Sequence, residues 1–346
     1  MTNNNKGWFQ KQVGGEYNDE KREFNYLINN TKKIIESVRS QFPRLPPIHF
    51  GILNDLHLRA FTEFYKDEYY IAITIGTLRI IEDLTIKINA AKSGTKGDYP
   101  KLSIHSGLYG VPEYFPEKKP HYVSFENIDF SDFEGHRHII YTYIIYHELC
   151  HIFRGHILLK RKCKEINKSL FNDDLLKDIN FLQTLEMDAD SFATTNTIYD
   201  LLFKRMIIPN IDLTFFNDLK SFIYNFIYCI YGFIRLTDFE DLNVSDIKKR
   251  SHPKPAVRIS LIFDNIKSIL EKENIQIDFD LIENNVEAAF QAEKDFVKIT
   301  SLENKLAVFA EVYGNSEILD YKIQIVKNFQ IIKEELKKYS YSEIKQ

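Results

Sequence analysis

The chain has few of the residues that build a cross-linked framework. Its 346 residues include only three cysteines, Cys150, Cys163 and Cys229, which argues against a disulfide scaffold. No apolar run follows the polar first six residues, so we expect no signal peptide. These absences together predict a reducing, cytoplasmic setting.

A strong charge of one sign and a long apolar run are also missing. The net charge is −4 at pH 7, so no overall basic field predicts a nucleic-acid partner. The most apolar stretch, residues 221–236, contains Asn225 and Arg235, and it is shorter than the roughly 20 apolar residues of a membrane-spanning helix. We expect no transmembrane segment and a helix buried by the rest of the protein. A peripheral membrane contact of this helix remains the alternative.

Apolar and aromatic residues, in contrast, are plentiful. Hydrophobic residues make up 44% of the chain and aromatic residues 14%, which is typical of a globular protein with a large core. Helical spacing of apolar positions predominates, and it predicts helices at about residues 136–159 and 175–203. Residues 48–52, 56–63 and 69–75 have the composition of strands. The prediction is an α+β fold, mostly α, with a small antiparallel sheet.

Changes in composition along the chain predict its organisation. We expect residues 1–18 to be a mobile N-terminus, 19–270 to form one domain and 271–346 to form a C-terminal helical region. Glycine and proline interrupt every period between residues 94 and 134, directly before the most distinctive motif. A segment of this kind is predicted to flank a cleft as a wall or a lid.

That motif is His147-Glu148-Leu149-Cys150-His151, an HExxH sequence in an apolar context. On a helix, His147 and His151 lie on one face and can offer two imidazoles to one metal ion. Glu148 then lies where its carboxylate can act as a general base on a water molecule. The pattern predicts a catalytic zinc (Zn2+) site with an open coordination position.

A tetrahedral zinc site with an open position needs a third protein ligand. Arg154 and Ile157 stand where a metzincin would have glycine and histidine, so that arrangement is excluded. Glu186 and Asp190 have helical i, i+4 spacing downstream. We predict Glu186 as the third ligand and Asp190 as the group that orients His147 or His151. Cys150 is predicted to be a packed thiol, with a thiolate ligand as the alternative.

These residues resemble a known family. The HExxH motif with Gly155-His156, followed by Glu186-x-x-x-Asp190-x-x-Ala193, is similar to the gluzincin peptidases, and within them to the CAAX-prenyl-protease and heat-shock-protease-X group. The segment 251–259 resembles that group's His-Pro-...-Arg motif, and residues 54–78 resemble its strands. The chain lacks that group's transmembrane helices, and in this it resembles the phage-exclusion (Lit-type) peptidases.

The resemblance implies a zincin-like helical core and a zinc endopeptidase that hydrolyses a peptide bond in a protein or peptide substrate, in phage defence or stress response. It also implies that His252 stabilises the oxyanion of the reaction. Arg258 is expected instead to pair with Glu186 or Asp190 and hold the third-ligand helix. Two other functions stay open, a non-catalytic zinc-stabilised interaction protein and a membrane-associated protease.

Overall fold

A computed structural model of the chain describes residues 6–12, 14–17, 24–92, 104–106, 112–114, 130–166, 180–203, 218–236, 252–300 and 316–342. Most of these residues are helical, and the strands form one three-stranded and one two-stranded sheet. The predicted α+β class with mostly α content is therefore confirmed.

The helices of this described part are numbered here in chain order. They are α1 (Lys6–Phe9), α2 (Asn25–Gln41), α3 (Ile75–Lys92), α4 (Phe130–Phe153), α5 (His156–Ile166), α6 (Asn180–Ile198), α7 (Leu219–Arg235), α8 (Pro255–Lys272), α9 (Phe279–Ile299) and α10 (Ser316–Leu336). A single π-helical turn, Tyr199–Phe203, continues α6.

The three-stranded sheet is mixed, which corrects the prediction of an antiparallel sheet. Its strands are β1 (Ile48–Leu53), β2 (Ala60–Tyr65) and β3 (Glu68–Thr74), in the order β1-β3-β2. β2 and β3 form an antiparallel hairpin, whereas β1 pairs with β3 in parallel. The physical reason is burial. β3 is almost wholly apolar, so it takes the central position of the sheet, between two strands that run in opposite directions.

Burial of β3 on both faces explains its position. Tyr69, Ile71 and Ile73 face the main helical core, while Tyr70 and Ala72 belong to a second cluster on the other face. That second cluster includes Trp8 and Phe9 from the N-terminal segment, each 4% exposed. The described part of the segment expected to be mobile is therefore packed on the sheet, since it carries two large aromatic side chains.

The helix of the HExxH motif is shorter at its C-terminal end than predicted. α4 ends at Phe153 and α5 begins at His156, so one continuous helix to residue 159 is wrong. Gly155 causes the break with a φ of +74°, a left-handed conformation that terminates helices. A Cβ there would lie 2.6 Å from Tyr339, so glycine is also required by the close approach of the C-terminal segment.

α4 is central, and α6 packs along it. Ala189 and Ala193 of α6 are both fully buried, and their small side chains let the two helix backbones come close. β2 covers the opposite side of the motif, because the hydroxyl of Thr62 reaches the backbone carbonyl of Glu148 at 3.2 Å. The motif is thus enclosed between a helix and a strand.

α7 contains the most apolar stretch of the chain. Twelve of its residues are buried, and it packs mainly against α9. The predicted burial of this helix within the protein is confirmed. In the described part of the chain, no helix combines the length and the apolar character that a membrane span requires.

The predicted boundary at residue 270 falls within a shared core. Leu270 of α8 and Leu281 and Phe296 of α9 belong to one apolar cluster. Within the predicted insertion, the described residues form a small antiparallel pair, β4 (Ile104–Ser106) and β5 (Pro112–Tyr114), and the start of α4. The rest of the insertion lies outside the described residues, so its role as a cleft wall or lid stays a prediction.

Candidate metal centre and cleft

Two packed helices bring three potential metal ligands together. His147 and His151 lie one turn apart on α4, and Glu186 faces them from α6. His147 Nε2 is 3.1 Å and His151 Nε2 is 3.6 Å from the same oxygen, Glu186 Oε2. The three ligand atoms all lie within 4.8 Å of one another, so the group can hold a metal ion.

The spacing of these atoms matches a small tetrahedral site. Ligand bonds of about 2.0–2.2 Å at tetrahedral angles place neighbouring ligand atoms about 3.4 Å apart. The distances of 3.1 Å and 3.6 Å from the Glu186 oxygen bracket that value. Two imidazoles and one carboxylate also form a donor set that zinc accepts.

Asp190 orients His147 from behind. Its Oδ1 lies 3.1 Å from His147 Nδ1, while Nε2 on the other side of the ring faces Glu186. The same carboxylate accepts two hydrogen bonds from Arg258, at 2.7 Å and 2.8 Å, and one from Tyr143 at 2.8 Å. Burial would raise the pKa of Asp190, but Arg258 and His147 lower it strongly, so the carboxylate stays charged.

The two histidines differ electrostatically. Burial would lower the pKa of His147, but the carboxylates of Asp190 and Glu186 raise it to about 10. Burial lowers the pKa of His151 to about 3 against the opposing influence of Glu186. A proton and a metal ion compete for the same imidazole lone pair, so a metal bound at His147 displaces a proton.

Glu186 is fixed through both of its oxygens. Oε2 faces the three imidazole nitrogens of the site, while Oε1 lies 3.4 Å from Lys160 Nζ of α5. Burial would raise the pKa of Glu186, but His151 and His252 lower it well below the usual range. A charged carboxylate with one oxygen engaged elsewhere is suited to bind a cation through the other oxygen.

Glu148 is held by the sheet. Its Oε2 accepts a hydrogen bond of 2.8 Å from the Thr62 hydroxyl of β2. Burial raises the pKa of Glu148, while His147 and Thr62 act in the opposite direction. A carboxyl group with a raised pKa, next to His147 in the chain, is a better proton acceptor than an ordinary carboxylate and can act as a general base.

A cleft of about 250 Å³ opens beside these groups. His147, Glu148, Arg258 and His252 contribute to its wall, together with the residues just before and at the start of β2. His252 is 46% exposed at its side chain, and its Nε2 lies 3.2 Å from Glu186 Oε2. The site is therefore accessible from the side where Glu148 and His252 lie.

Cys150 does not point at this group. Its sulfur lies 3.7 Å from the backbone oxygen and 3.9 Å from Oδ2 of Asp188, on another side of α4. Burial raises the pKa of Cys150 well above its usual value, which favours the neutral thiol over a thiolate ligand. With His156 and Asp188 it forms a second group of potential ligand atoms within 4.8 Å of one another.

All seven residues singled out in the sequence meet in this region. They are His147, Glu148, His151, Glu186, Asp190, His252 and Arg258. Of the two partners expected for Arg258, the structure pairs it with Asp190.

Several contributors were missed from the sequence. Thr62, Tyr143 and Lys160 contact the carboxylates of Glu148, Asp190 and Glu186, in that order. His156 lies behind His151, and Asp188 lies behind His156. For His156 and Asp188, the sequence offered only Gly155 before His156 and the position of Asp188 between Glu186 and Asp190. A hydroxyl on a strand 86 residues from Glu148 left no signal in the sequence.

Comparison of the chain with protein-family models, with curated proteins and with solved structures finds no match.

Proposed function

We propose that this protein is a zinc-dependent endopeptidase that hydrolyses a peptide bond in a protein substrate. The observation that supports it most is the convergence of three ligand atoms beside a carboxylate that lines an open cleft. His147, His151 and Glu186 would hold the zinc ion. Bound zinc would supply an acidified water molecule and polarise the scissile carbonyl group.

The side chains of the cleft have distinct roles in this proposal. Glu148, held by Thr62, accepts the proton of the attacking water and passes it to the leaving amine. His252, on the exposed side of the cleft, donates a hydrogen bond to the oxyanion that forms at the carbonyl. Asp190 keeps His147 in the orientation that presents Nε2, and Arg258 keeps Asp190 charged.

A substrate chain has a place to bind. β2 is at the edge of its sheet, and Leu58, Arg59 and Ala60 line the cleft. The carbonyl of Arg59 accepts a hydrogen bond from Thr74 of β3. Because backbone direction alternates along a strand, the backbone groups of Ala60 and Thr62 point away from β3, towards the edge that pairs with no other strand among the described residues. An extended peptide that pairs with this edge would pass the carboxylate of Glu148.

The alternative is a non-catalytic zinc-stabilised protein. A structural zinc site is closed by a fourth protein ligand and has no use for a general base. In the described part of the chain, the group that includes both motif histidines has three members, and Cys150 faces Asp188 instead. The catalytic function is therefore better supported. A role in phage defence or stress response rests on the family resemblance alone.

The decisive experiment compares the wild type with Glu148→Gln. Both zinc-loaded proteins are incubated with a cell lysate, and new peptide termini are mapped by mass spectrometry. We expect zinc-dependent termini with the wild type and their loss with Glu148→Gln, although both proteins bind one zinc per chain.

The matched control is Glu134→Gln, which makes the same chemical change on α4 at a residue paired with Arg137. It should produce the wild-type termini. An unchanged pattern of termini with Glu148→Gln would refute the role of this residue.

A further inference from the structure

Two metal-facing histidines are oriented in different ways. Asp190 contacts the outer nitrogen of His147 directly, at 3.1 Å. The outer nitrogen of His151 contacts another imidazole instead, because His151 Nδ1 lies 2.9 Å from His156 Nδ1. The second nitrogen of His156 lies 3.1 Å from Asp188 Oδ2. Each histidine is thus backed by a carboxylate. Asp190 contacts His147 directly, and Asp188 contacts His151 through the ring of His156.

The geometry of α6 explains why an intermediate ring is needed. Ala189 is fully buried in the contact with α4, and Asp188 and Asp190 flank it in sequence. Each step along a helix rotates the side chain by about 100°, so two residues that are two positions apart differ by about 200°. The carboxylates of Asp188 and Asp190 therefore leave the helix on opposite sides. Asp190 reaches His147 directly, whereas Asp188 reaches His151 only through His156.

The break at Gly155 places His156 for this contact. Its left-handed backbone ends α4 and starts α5 with His156 as the first residue. The chain therefore turns back, so that the His156 ring lies against that of His151, with centroids 5.1 Å apart. His156 is 0% exposed and Asp188 is 5% exposed, so water does not supply these hydrogen bonds.

We infer that His156 and Asp188 form a positioning relay that fixes the tautomer of His151 for metal binding. The inference rests on the proposed zinc site. With Nε2 of His151 facing the metal, its ring proton is on Nδ1 and is donated to Nδ1 of His156. His156 then carries its own proton on Nε2 and donates it to Asp188. The opposite tautomer of His156 would set two N–H groups against each other at 2.9 Å.

The test measures zinc affinity by competition with a chromophoric chelator. His156→Phe keeps a buried ring but removes both hydrogen bonds, and it should weaken zinc binding by about 10–100-fold, as expected for the loss of an outer partner of a ligand histidine. The matched control is His138→Phe, another buried histidine on α4, whose Nδ1 bonds to Tyr26 outside the site. The zinc affinity of this control should stay within about twofold of the wild type.

A rescue variant separates hydrogen bonding from packing. The amide of His156→Gln can accept a hydrogen bond from His151 and donate one to Asp188, so this variant should bind zinc more tightly than His156→Phe. A purely structural role predicts the reverse order, since phenylalanine fills the ring cavity better. In the wild type, nitrogen NMR should show the ring proton of His151 on Nδ1 and that of His156 on Nε2. If His156→Phe does not fold, Asp188→Leu, which has no hydrogen-bond acceptor for His156, takes its place and should also lose zinc affinity.

The outcomes distinguish this relay from the zinc site itself. If His151→Ala keeps the affinity of the wild type for zinc, the proposed site and the relay both fail. If His151→Ala loses zinc but His156→Phe binds as the wild type does, only the relay fails. Two zinc ions per wild-type chain, reduced to one in Cys150→Ser, would place a metal between Cys150, His156 and Asp188 and would also overturn the relay.

Discussion

Removal of the Asp190 carboxylate should damage both stability and zinc affinity. Asp190 is 3% exposed and accepts hydrogen bonds from Arg258, Tyr143 and His147. Asp190→Ala leaves the guanidinium of Arg258 buried without this carboxylate, a loss that costs about 3–5 kcal/mol of folding free energy. It also frees the outer nitrogen of His147, which should weaken zinc binding about 10–100-fold, or about 1.4–2.7 kcal/mol.

The chain supplies a matched control for the first of these effects. Arg235 and Glu293 form another buried ion pair, with Arg235 Nε 2.8 Å from Glu293 Oε2, between α7 and α9. Glu293→Ala should therefore lose a similar amount of stability and bind zinc as the wild type does.

Two measurements separate the effects. Urea unfolding in the presence of a chelator gives the free energy of unfolding of the metal-free proteins, and chelator competition gives the zinc affinity. If Asp190→Ala and Glu293→Ala bind zinc equally well, Asp190 does not orient His147 and the reasoning is refuted. The milder Asp190→Asn keeps the shape of the side chain and serves if the alanine variant does not fold.

Two further predictions concern protons. In Thr62→Val the Glu148 carboxylate loses a hydrogen bond that lowers its pKa, so the acidic limb of the pH–rate profile should move to higher pH while zinc affinity stays unchanged. An acidic limb at the wild-type pH would contradict this role of Thr62. Burial lowers the pKa of His138 to about 4, below the value of about 6.5 for an exposed histidine. The unfolded chain therefore binds this proton more readily than the folded chain, and stability is lost as the pH falls from about 6.5 towards 4. Urea unfolding at pH 7.5 and pH 4.5 should show a loss about 2.5 kcal/mol larger in the wild type than in His138→Phe, and equal losses would exclude this effect.

The sequence predicted five of the seven residues of the candidate site, from His147 to Asp190, because their signals are local. His147 and His151, like Glu186 and Asp190, are related by one helical turn, and helical spacing alone places each pair on one face. The position of His252 and Arg258 in the chain came from a motif resemblance. The pairing of Arg258 with Asp190, one of two partners considered, needed the structure.

The order and direction of the strands in the sheet could not be predicted from the sequence, for a different reason. Alternation and composition identify strands, but they do not state which strand takes the centre of a sheet. β3 does so because it is buried on both faces, by the helical core and by Trp8 and Phe9 from the N-terminus. The antiparallel prediction overlooked this second apolar layer, which comes from a segment predicted to be mobile.

The sequence by itself therefore determined which groups are available, namely the imidazoles of His147 and His151 and the carboxylates of Glu148 and Glu186, at helical spacing. Only the tertiary structure decided how these groups are held. Thr62 on Glu148, Lys160 on Glu186 and the His156–Asp188 pair behind His151 are contacts between separate elements. The spacing of residues along a helix follows from its backbone geometry, whereas contacts between elements follow from how their apolar faces pack, and no local pattern encodes that packing.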